Sequence, residues 1–564
     1  MQAQSVSIPV DQDYYALIDR LEIKYGRISP ILQSSSRPYT RQQVAAFADT
    51  LFALRDSLNL TAVDLANLRY LMRDNWEWSQ KIEKDYKSRK PFLKHFYRTK
   101  PDFFHVQSEY YGQGLHQGAD DFDLHISPVL HFGMGYETEN DRLPYINSRG
   151  VALRATIADR IGVYTFITDN QARFPFYVLD RSLQTSGDFY VPNVPGEAFT
   201  KWVRERDDFD YIHARGYIAF RMAKVVQVQF GQDKHFIGPG YRSLFLSDYS
   251  APSLFLKLNT RFWKIEYTNL FTQLVADVQR PNNVYPKKYA VFHRLGINIG
   301  QRLNLGLSES VVYSRPDGKR NDTFEIGYLN PVIFYTAVEQ GLGTPDNAGL
   351  YFDAKYLVPG MSLQLYASLL IDDMVVSEFR SGDGWWGNRQ AAQIGFRYVD
   401  AFGIPNLDLL GEFNYIRPYT YTQNDSLNLA NHSHFLQALA HPMGANLWEI
   451  VGWLHYQPLP ALRLSARVIY TQKGEDPEGQ NWGGDILKDL TFRQQEYGNR
   501  VGQGIATQLL YAELTASYQL RHNLFLDWKS VFRRLESEDP LRERQTFFTG
   551  IHLRLNTAMI RHDF

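Results

Sequence analysis

From about residue 124 almost to the end of the chain, apolar and polar side chains alternate with a period of two. That is the spacing of a β-strand with one face in an apolar medium and the other in a polar one. In LRLSARVIYT, 462–471, Leu462, Leu464, Ala466, Val468 and Tyr470 share one face, and Arg463, Ser465, Arg467 and Thr471 share the other. VALRATIA sets Val151, Leu153, Ala155 and Ile157 against Arg154 and Thr156. MSLQLYASLLID opposes Met361, Leu363, Leu365, Ala367, Leu369 and Ile371 to Ser362, Gln364, Ser368 and Asp372. LLYAELTASY does the same with Leu510, Ala512, Leu514, Ala516 and Tyr518 against Glu513, Thr515 and Ser517.

The connectors alternate too. Tight turns are expected at 159–160, 223–224, 260–262, 300–302, 358–360, 403–406, 457–460 and 520–522. Between them lie long polar stretches at 169–213, 232–252, 314–347, 373–390, 417–445 and 474–504. Short turns on one side and long loops on the other are the pattern of a transmembrane β-barrel, turns toward the periplasm and loops outside. A backbone in hydrocarbon has no water to pair with, so such a sheet has to close. Eight hairpins plus strands at about 124–136 and 545–555 make about eighteen antiparallel strands. Residues 103–112 also alternate, but an odd strand would break this parity, so 101–123 is assigned to a plug or linker and 124–564 to the barrel.

The first hundred residues carry a different period. Tyr14, Ile18, Leu21 and Tyr25 are spaced for one helix face, and Gly26 follows as a C-cap. Thr40 with Gln43 forms a capping box ahead of Val44, Phe47, Leu51, Leu54 and Leu58, and Thr61 precedes Leu65, Leu68, Met72 and Trp76. These predict an N-terminal three-helix bundle over 1–100, on the periplasmic side or plugging the barrel from below. The fold class is therefore mainly β, a barrel with a small helical appendage.

Composition narrows the function. Lys and Arg number 60 against 61 acidic residues, which gives no reason to expect nucleic acid as a partner. With no cysteine there are no disulfides, thiolate metal sites or cysteine nucleophiles. Aromatics are abundant (36 Tyr, 36 Phe, 10 Trp) while mean hydropathy is only -0.37, and no window approaches the ~20 apolar residues of a membrane helix. The opening MQAQSVSIPV lacks the basic and apolar runs of a secretory signal, as expected of a chain whose signal was trimmed and an initiator added.

No catalytic constellation stands out: nucleophile elbow, phosphate loop and zinc-protease motif are all missing. An enzyme is not expected, and no cofactor or metal is assigned. His432, His434 and His441 lack a carboxylate at fixed spacing. Asp120, Asp121 and Asp123 lack the ligand spacing of a calcium loop and read as a solvated turn. Two loops suit a sugar better. SGDGWWGNRQ gathers Asp383, Trp385, Trp386, Asn388 and Arg389, and GEDPEGQNWGGDI gathers Asp476, Asn481, Trp482 and Asp485. Flat aromatics beside carboxylates and amides match the apolar ring faces and hydroxyl rims of a glycan.

The densest stretch runs over 230–271. Asp233, Lys234, His235, Ile237, Gly238, Gly240, Tyr241, Arg242, Ser243, Leu246, Ser247 and Asp248, continuing to Lys257, Leu258 and YTNLF at 267–271, resemble the Wzi-like capsule-assembly outer-membrane proteins. The likeness is to the RemB-like branch labelled for gliding motility in Bacteroidota. RLE with RPYTR at 37–41, and RPYTYTQNDSL, ALAHPMGAN and HYQPLP within 417–460, extend it. The resemblance implies an eighteen-stranded barrel, a periplasmic helical bundle and, in the capsule branch, a lectin-like hold on surface polysaccharide. It leaves the 233–248 block open between function and a structural constriction in the lumen. The C-terminal FFTGIHLRLN also resembles the insertion signal of outer-membrane proteins, with about nine residues following the strand. A polysaccharide-binding barrel in outer-membrane lipid is thus expected. A subunit of a secretion or gliding complex, docking proteins through its bundle, and a diffusion porin are the alternatives.

Overall fold

A computed structural model describes residues 5–32, 35–82, 89–93, 96–107, 122–138, 142–158, 160–186, 193–198, 200–203, 208–276, 285–314, 324–330, 346–423 and 429–564. Its alternating segments close a ring of eighteen antiparallel strands. They are β1 Phe122–Glu137, β2 Tyr145–Ile157, β3 Ile161–Arg173, β4 Asp208–Ala223, β5 Val226–Asp233 and β6 Ser253–Phe262. Next come β7 Ile265–Val275, β8 Lys287–Ile299, β9 Leu303–Tyr313, β10 Asn347–Leu357, β11 Leu363–Asp373 and β12 Arg389–Tyr398. The ring ends with β13 Leu407–Ile416, β14 Leu447–Leu459, β15 Leu462–Glu475, β16 Ile505–Arg521, β17 Leu524–Ser537 and β18 Arg544–Leu555, and β18 pairs with β1 to shut it.

The period-two rule sorts the side chains as expected. Outside, apolar residues stay uncovered on much of the wall, among them Met134, Ile212, Phe230, Leu365, Ile394, Ile450, Val468, Leu514 and Ile551, whereas on β7–β9 the outward Phe271, Val291 and Val311 are buried in a cluster with Tyr328. Inside, Arg463 and Arg467 are buried. Charges there are paired across strands, as in Arg294 with Asp353 at 2.9 Å and Arg554 with Asp527 at 2.6 Å. An apolar exterior around a paired polar interior is the inverse of a soluble protein and the build of an outer-membrane barrel.

Several turns differ from the expected positions, those expected at 223–224, 457–460 and 520–522 lying at 224–225, 460–461 and 522–523. The β6–β7 turn lies at 263–264, because Arg261 and Phe262 still pair with Glu266 and Ile265. The β12–β13 connection spans 399–406, since it carries Asp400, whose carboxylate grips the helical bundle.

The bundle is α1 Tyr14–Tyr25, α2 Arg41–Ala53 and α3 Ala62–Asp74. Gly26 takes the left-handed conformation (φ 68°) that a C-cap requires. Capping boxes close on Thr40 with Gln43 and on Thr61 with Asp64. Ile18, Leu21, Val44, Phe47, Leu51, Leu68 and Leu71 form its core, while Leu54 and Leu58 lie beyond α2. The N-terminal region is fastened to the wall at many points of the short-turn end. Glu22 meets Lys355 of β10 at 2.6 Å, Asn67 meets Gln457 of β14 at 2.9 Å, and Asp74 meets His522 at 2.9 Å. Arg20 and Lys24 contact Asp400 at 2.7 and 2.6 Å and also hold Asp64. Burial pushes the Asp64 carboxyl up, but these two cations outweigh it and hold the group below its ordinary value.

The lumen is filled from the opposite end as well. The 234–252 loop turns inward, and Phe236–Ile237 pairs with Ser36–Arg37 of the N-terminal region in a two-stranded sheet inside the barrel. The Gly238 amide donates to the Ser35 carbonyl at 2.9 Å. Helix α4, Phe176–Ser186, also dips in, its Tyr177 hydroxyl donating to the His562 carbonyl at 2.9 Å. Residues 556–564, expected to follow the insertion-signal strand, fold back into the lumen and bury Phe564. In the 101–123 segment, assigned to a plug or linker, Phe104–Gln107 forms a short strand on the edge of β1 outside the ring, so the count of eighteen is kept. Residues 108–121 lie outside the described residues.

Candidate functional site

Three long loops, 374–388, 417–446 and 476–504, meet at the end opposite the bundle. Main-chain bonds join them: Trp386 N donates to Glu496 O at 2.9 Å, Gly498 N to Asp383 O at 2.7 Å and Tyr419 N to Gly483 O at 3.1 Å. Gly384 is needed at this seam, since a Cβ there would sit 2.8 Å from the Asn499 amide nitrogen. Tyr419 is buried beneath, donating its hydroxyl to the Asn481 carbonyl at 3.1 Å, and burial holds its phenol up to about 12. The two sugar-suited loops of the sequence are thereby one surface rather than two.

On that surface Trp385 and Trp386 are half-buried with ring centres 5.8 Å apart. The Arg493 guanidinium lies 4.5 Å over the Trp386 ring and pairs with Glu496. Trp482 is half-buried, its Nε1 donating to Gln480 at 2.8 Å. Asp383 and Asp485 point to solvent. Phe492 and Tyr497, 65% and 50% exposed, add aromatic area that the sequence reading missed, as it missed Arg493. The signal was present in LTFRQQEYGN, whose aromatics are spaced without period and so read as ordinary loop.

Three residues singled out with these loops serve the loops themselves. Asp476 accepts from the amides of Trp482, Gly484 and Asp485 at 2.8, 3.2 and 3.0 Å. Asn481 accepts from Gly483 N and donates to Asp489 O, both at 2.9 Å. Asn388 is buried and accepts from Val375 N at 3.0 Å. Carboxylates and amides spent on main-chain donors brace a loop, and their cost is recovered in rigidity.

The 233–248 block lies inside the barrel. Glu412 accepts from the amides of Tyr241 and Arg242 at 2.6 and 3.0 Å. The Arg242 side chain bridges Glu449 and Asp563, both at 3.1 Å, and Tyr241 donates to Asp563. Gly240 passes so close to β12 and β13 that a Cβ would be 2.6 Å from Gln393 and from Glu412. Lys234 donates to the Asp248 carbonyl at 3.2 Å, Asp233 lies 3.8 Å from Arg215, and buried His235 stacks edge-on against Phe255 at 4.5 Å. Among the described residues two cavities of about 170 Å³ each border this constriction, and Phe236, Tyr241 and Asp248 line both.

His432, His434 and His441 are fully buried and do not converge. They pair separately, with the Phe245 carbonyl at 2.7 Å, the Val275 amide at 2.9 Å and Glu449 at 3.0 Å. Asp120 and Asp121 lie outside the described residues. Asp123, read as part of a solvated turn, is instead on β1, where His105 and His125 approach it.

The sequence matches no protein-family model and no curated protein. The fold is similar to the solved structure of Wzi of Escherichia coli, an outer-membrane protein involved in group 1 capsule assembly and described as a carbohydrate-binding β-barrel. The TM-score is 0.57 at 13% identity, over 98% of this chain and 100% of that one. OprD of Pseudomonas aeruginosa aligns over 77% of this chain and 95% of its own at 10% identity, with a TM-score of 0.42. At 13% identity the first likeness establishes the architecture.

Proposed function

We propose that this chain is an outer-membrane barrel that holds surface polysaccharide on the loop surface around Trp385, Trp386 and Trp482, and that it performs no chemistry. The observation that carries this reading is the union of the 374–388 and 476–504 loops into one hydrogen-bonded surface on which half-buried indoles are rimmed by Asp383, Arg493 and Asp485. Half-buried rings are already oriented, so little entropy is lost when a sugar ring stacks on them. Single sugar contacts are weak, and several on a rigid surface act together. The carbohydrate binding recorded for Wzi supports the same reading. In this orientation the long loops are extracellular and the bundle faces the periplasm. Membership of the Wzi-like family and of its RemB-like, gliding-labelled branch belongs to the same proposal.

A second reading is a diffusion porin, favoured by the two cavities that Tyr241 lines. The third, a subunit of a secretion or gliding complex, would use the bundle as its docking surface. Binding of detergent-purified protein to an array of bacterial surface polysaccharides tests the first reading. Binding weakened in Trp385→Ala and Trp482→Ala supports it; no glycan bound, together with steady conductance in planar bilayers, transfers the case to the porin.

A further inference from the structure

β18 ends at Leu555, opposite Leu130, so the first part of β1 extends past it at the short-turn end. The strand Phe104–Gln107 occupies that edge, placing His105 directly across from His125. Asp123 is two residues from His125 and so on the same face. Three side chains from two paired strands thereby converge. His105 Nε2 is 2.7 Å and His125 Nε2 2.9 Å from Asp123 Oδ1, and the three donor atoms all lie within 4.8 Å of one another.

What surrounds them is what a metal site needs. The other ring nitrogen of His125, Nδ1, faces Asp102 Oδ2 at 2.8 Å. A carboxylate there fixes the tautomer and aims Nε2 inward, as the outer ligands of bound metals commonly do. Asp102 is itself held by Trp76 Nε1 at 3.1 Å and by Arg154 at 3.1 Å, and Arg154 is anchored by Glu77 at 3.1 Å. The Trp76 ring packs edge-on against both imidazoles, at 4.9 and 5.7 Å. His105 and His125 are buried, whereas the Asp123 side chain keeps 22% exposure, which leaves one side of the trio open.

We propose that His105, Asp123 and His125 bind one divalent transition-metal ion of the zinc class, with Asp102 as the residue that positions His125. Two imidazole nitrogens and one carboxylate oxygen suit zinc, nickel or copper, whereas calcium and magnesium take sets of oxygen donors. Bonds of about 2.0–2.2 Å would place neighbouring donors about 3.3 Å apart in a tetrahedral arrangement, so the two imidazole–carboxylate separations need open by only about half an ångström. The ion fastens the Phe104–Gln107 strand to the barrel wall, with Trp76, just past α3, packed against both imidazoles.

The test uses tag-free full-length protein in detergent, stripped with a chelator and titrated calorimetrically with Zn²⁺, with the visible spectrum of Co²⁺ as a second readout. One Zn²⁺ per chain is expected, with affinity at least 100-fold lower in H105Q and H125Q and 10- to 100-fold lower in D102N. The Co²⁺ absorption should vanish in H125Q. Heat-modifiability on gels checks that the variants fold. Where one does not, X-ray absorption of the zinc-loaded wild type decides: two imidazoles at the metal support the site, and none overturns it. The proposal also fails if stripped wild type shows no saturable Zn²⁺ binding, or if H105Q and H125Q bind as wild type does.

Discussion

Arg242, on the loop folded into the barrel from the long-loop end, holds the carboxylate of Asp563 at 3.1 Å across 321 residues of sequence. The same guanidinium meets Glu449 of β14, so one side chain ties the infolded loop, the C-terminal tail and the wall. Removing it leaves two carboxylates in the interior with a cation lost, which typically costs about 3–5 kcal/mol. Arg242→Ala should therefore lower the unfolding temperature in detergent, measured by circular dichroism; an unchanged transition would show that the bridge carries no stability.

The loop-bracing residues and the exposed indoles should separate. Asp476→Ala strips acceptors from three main-chain amides and should raise protease sensitivity of the 476–504 loop. Trp385→Ala leaves that seam in place and should weaken polysaccharide binding by about 5- to 10-fold, in line with about 1 kcal/mol for an aromatic contact. Equal glycan affinity of wild type and Trp385→Ala by surface plasmon resonance would remove Trp385 from the binding surface.

Gly240→Ala places a methyl group where Gln393 and Glu412 already stand. The infolded loop has to shift, and overpacking of this kind costs about 1–3 kcal/mol. The expected readout is a lower urea midpoint with the barrel still heat-modifiable. No change in midpoint would mean that the loop has slack at this position.

Docking of the bundle should weaken in acid. Burial pushes the Asp74 carboxyl up, but Arg41 and His522 outweigh it and hold it well below its ordinary value, and Asp64 is lowered likewise by Arg20 and Lys24. A carboxyl whose folded-state pKa is depressed stabilises the fold above its unfolded value, near 3.9, and that contribution fades as pH falls further. Pepsin digestion, scaled to an unfolded substrate, should cut within 14–74 more readily at pH 3 than at pH 4.5. Equal rates would contradict the assignment.

The lumen predicts electrical silence. With the bundle at one end and the 234–252 loop and C-terminal tail at the other, wild-type protein in a planar bilayer should show no steady conductance. Open-channel steps would show that these elements move aside.

Much of the barrel was legible because a strand between hydrocarbon and a polar interior has to alternate. Val468, 48% exposed, and Arg467, buried, are neighbours that the pattern alone sends to opposite faces. The infolding was legible only as one of two alternatives for 233–248: Lys234 through Asp248 has no period, and its place is set by single contacts such as Tyr241 with Asp563 that span hundreds of residues. The proposed loop surface was half legible. Trp385 and Trp482 stood out, but amides and carboxylates look alike in sequence whether they face a ligand or, as with Asn388 and Asp476, a neighbouring main chain. The pairing of His105 with His125 was hidden because the parity of the ring argued against a further strand, and Phe104–Gln107 evades that argument by lying outside it.

The two-residue sheet between Ser36–Arg37 and Phe236–Ile237 has a kinetic meaning. Its halves are some two hundred positions apart and meet only within a completed wall, so neither can find its partner early. Contacts of such separation form slowly, because a long stretch of chain must be ordered before they are rewarded. Threading of the N-terminal region and closure of the ring should therefore be late and concurrent steps of folding.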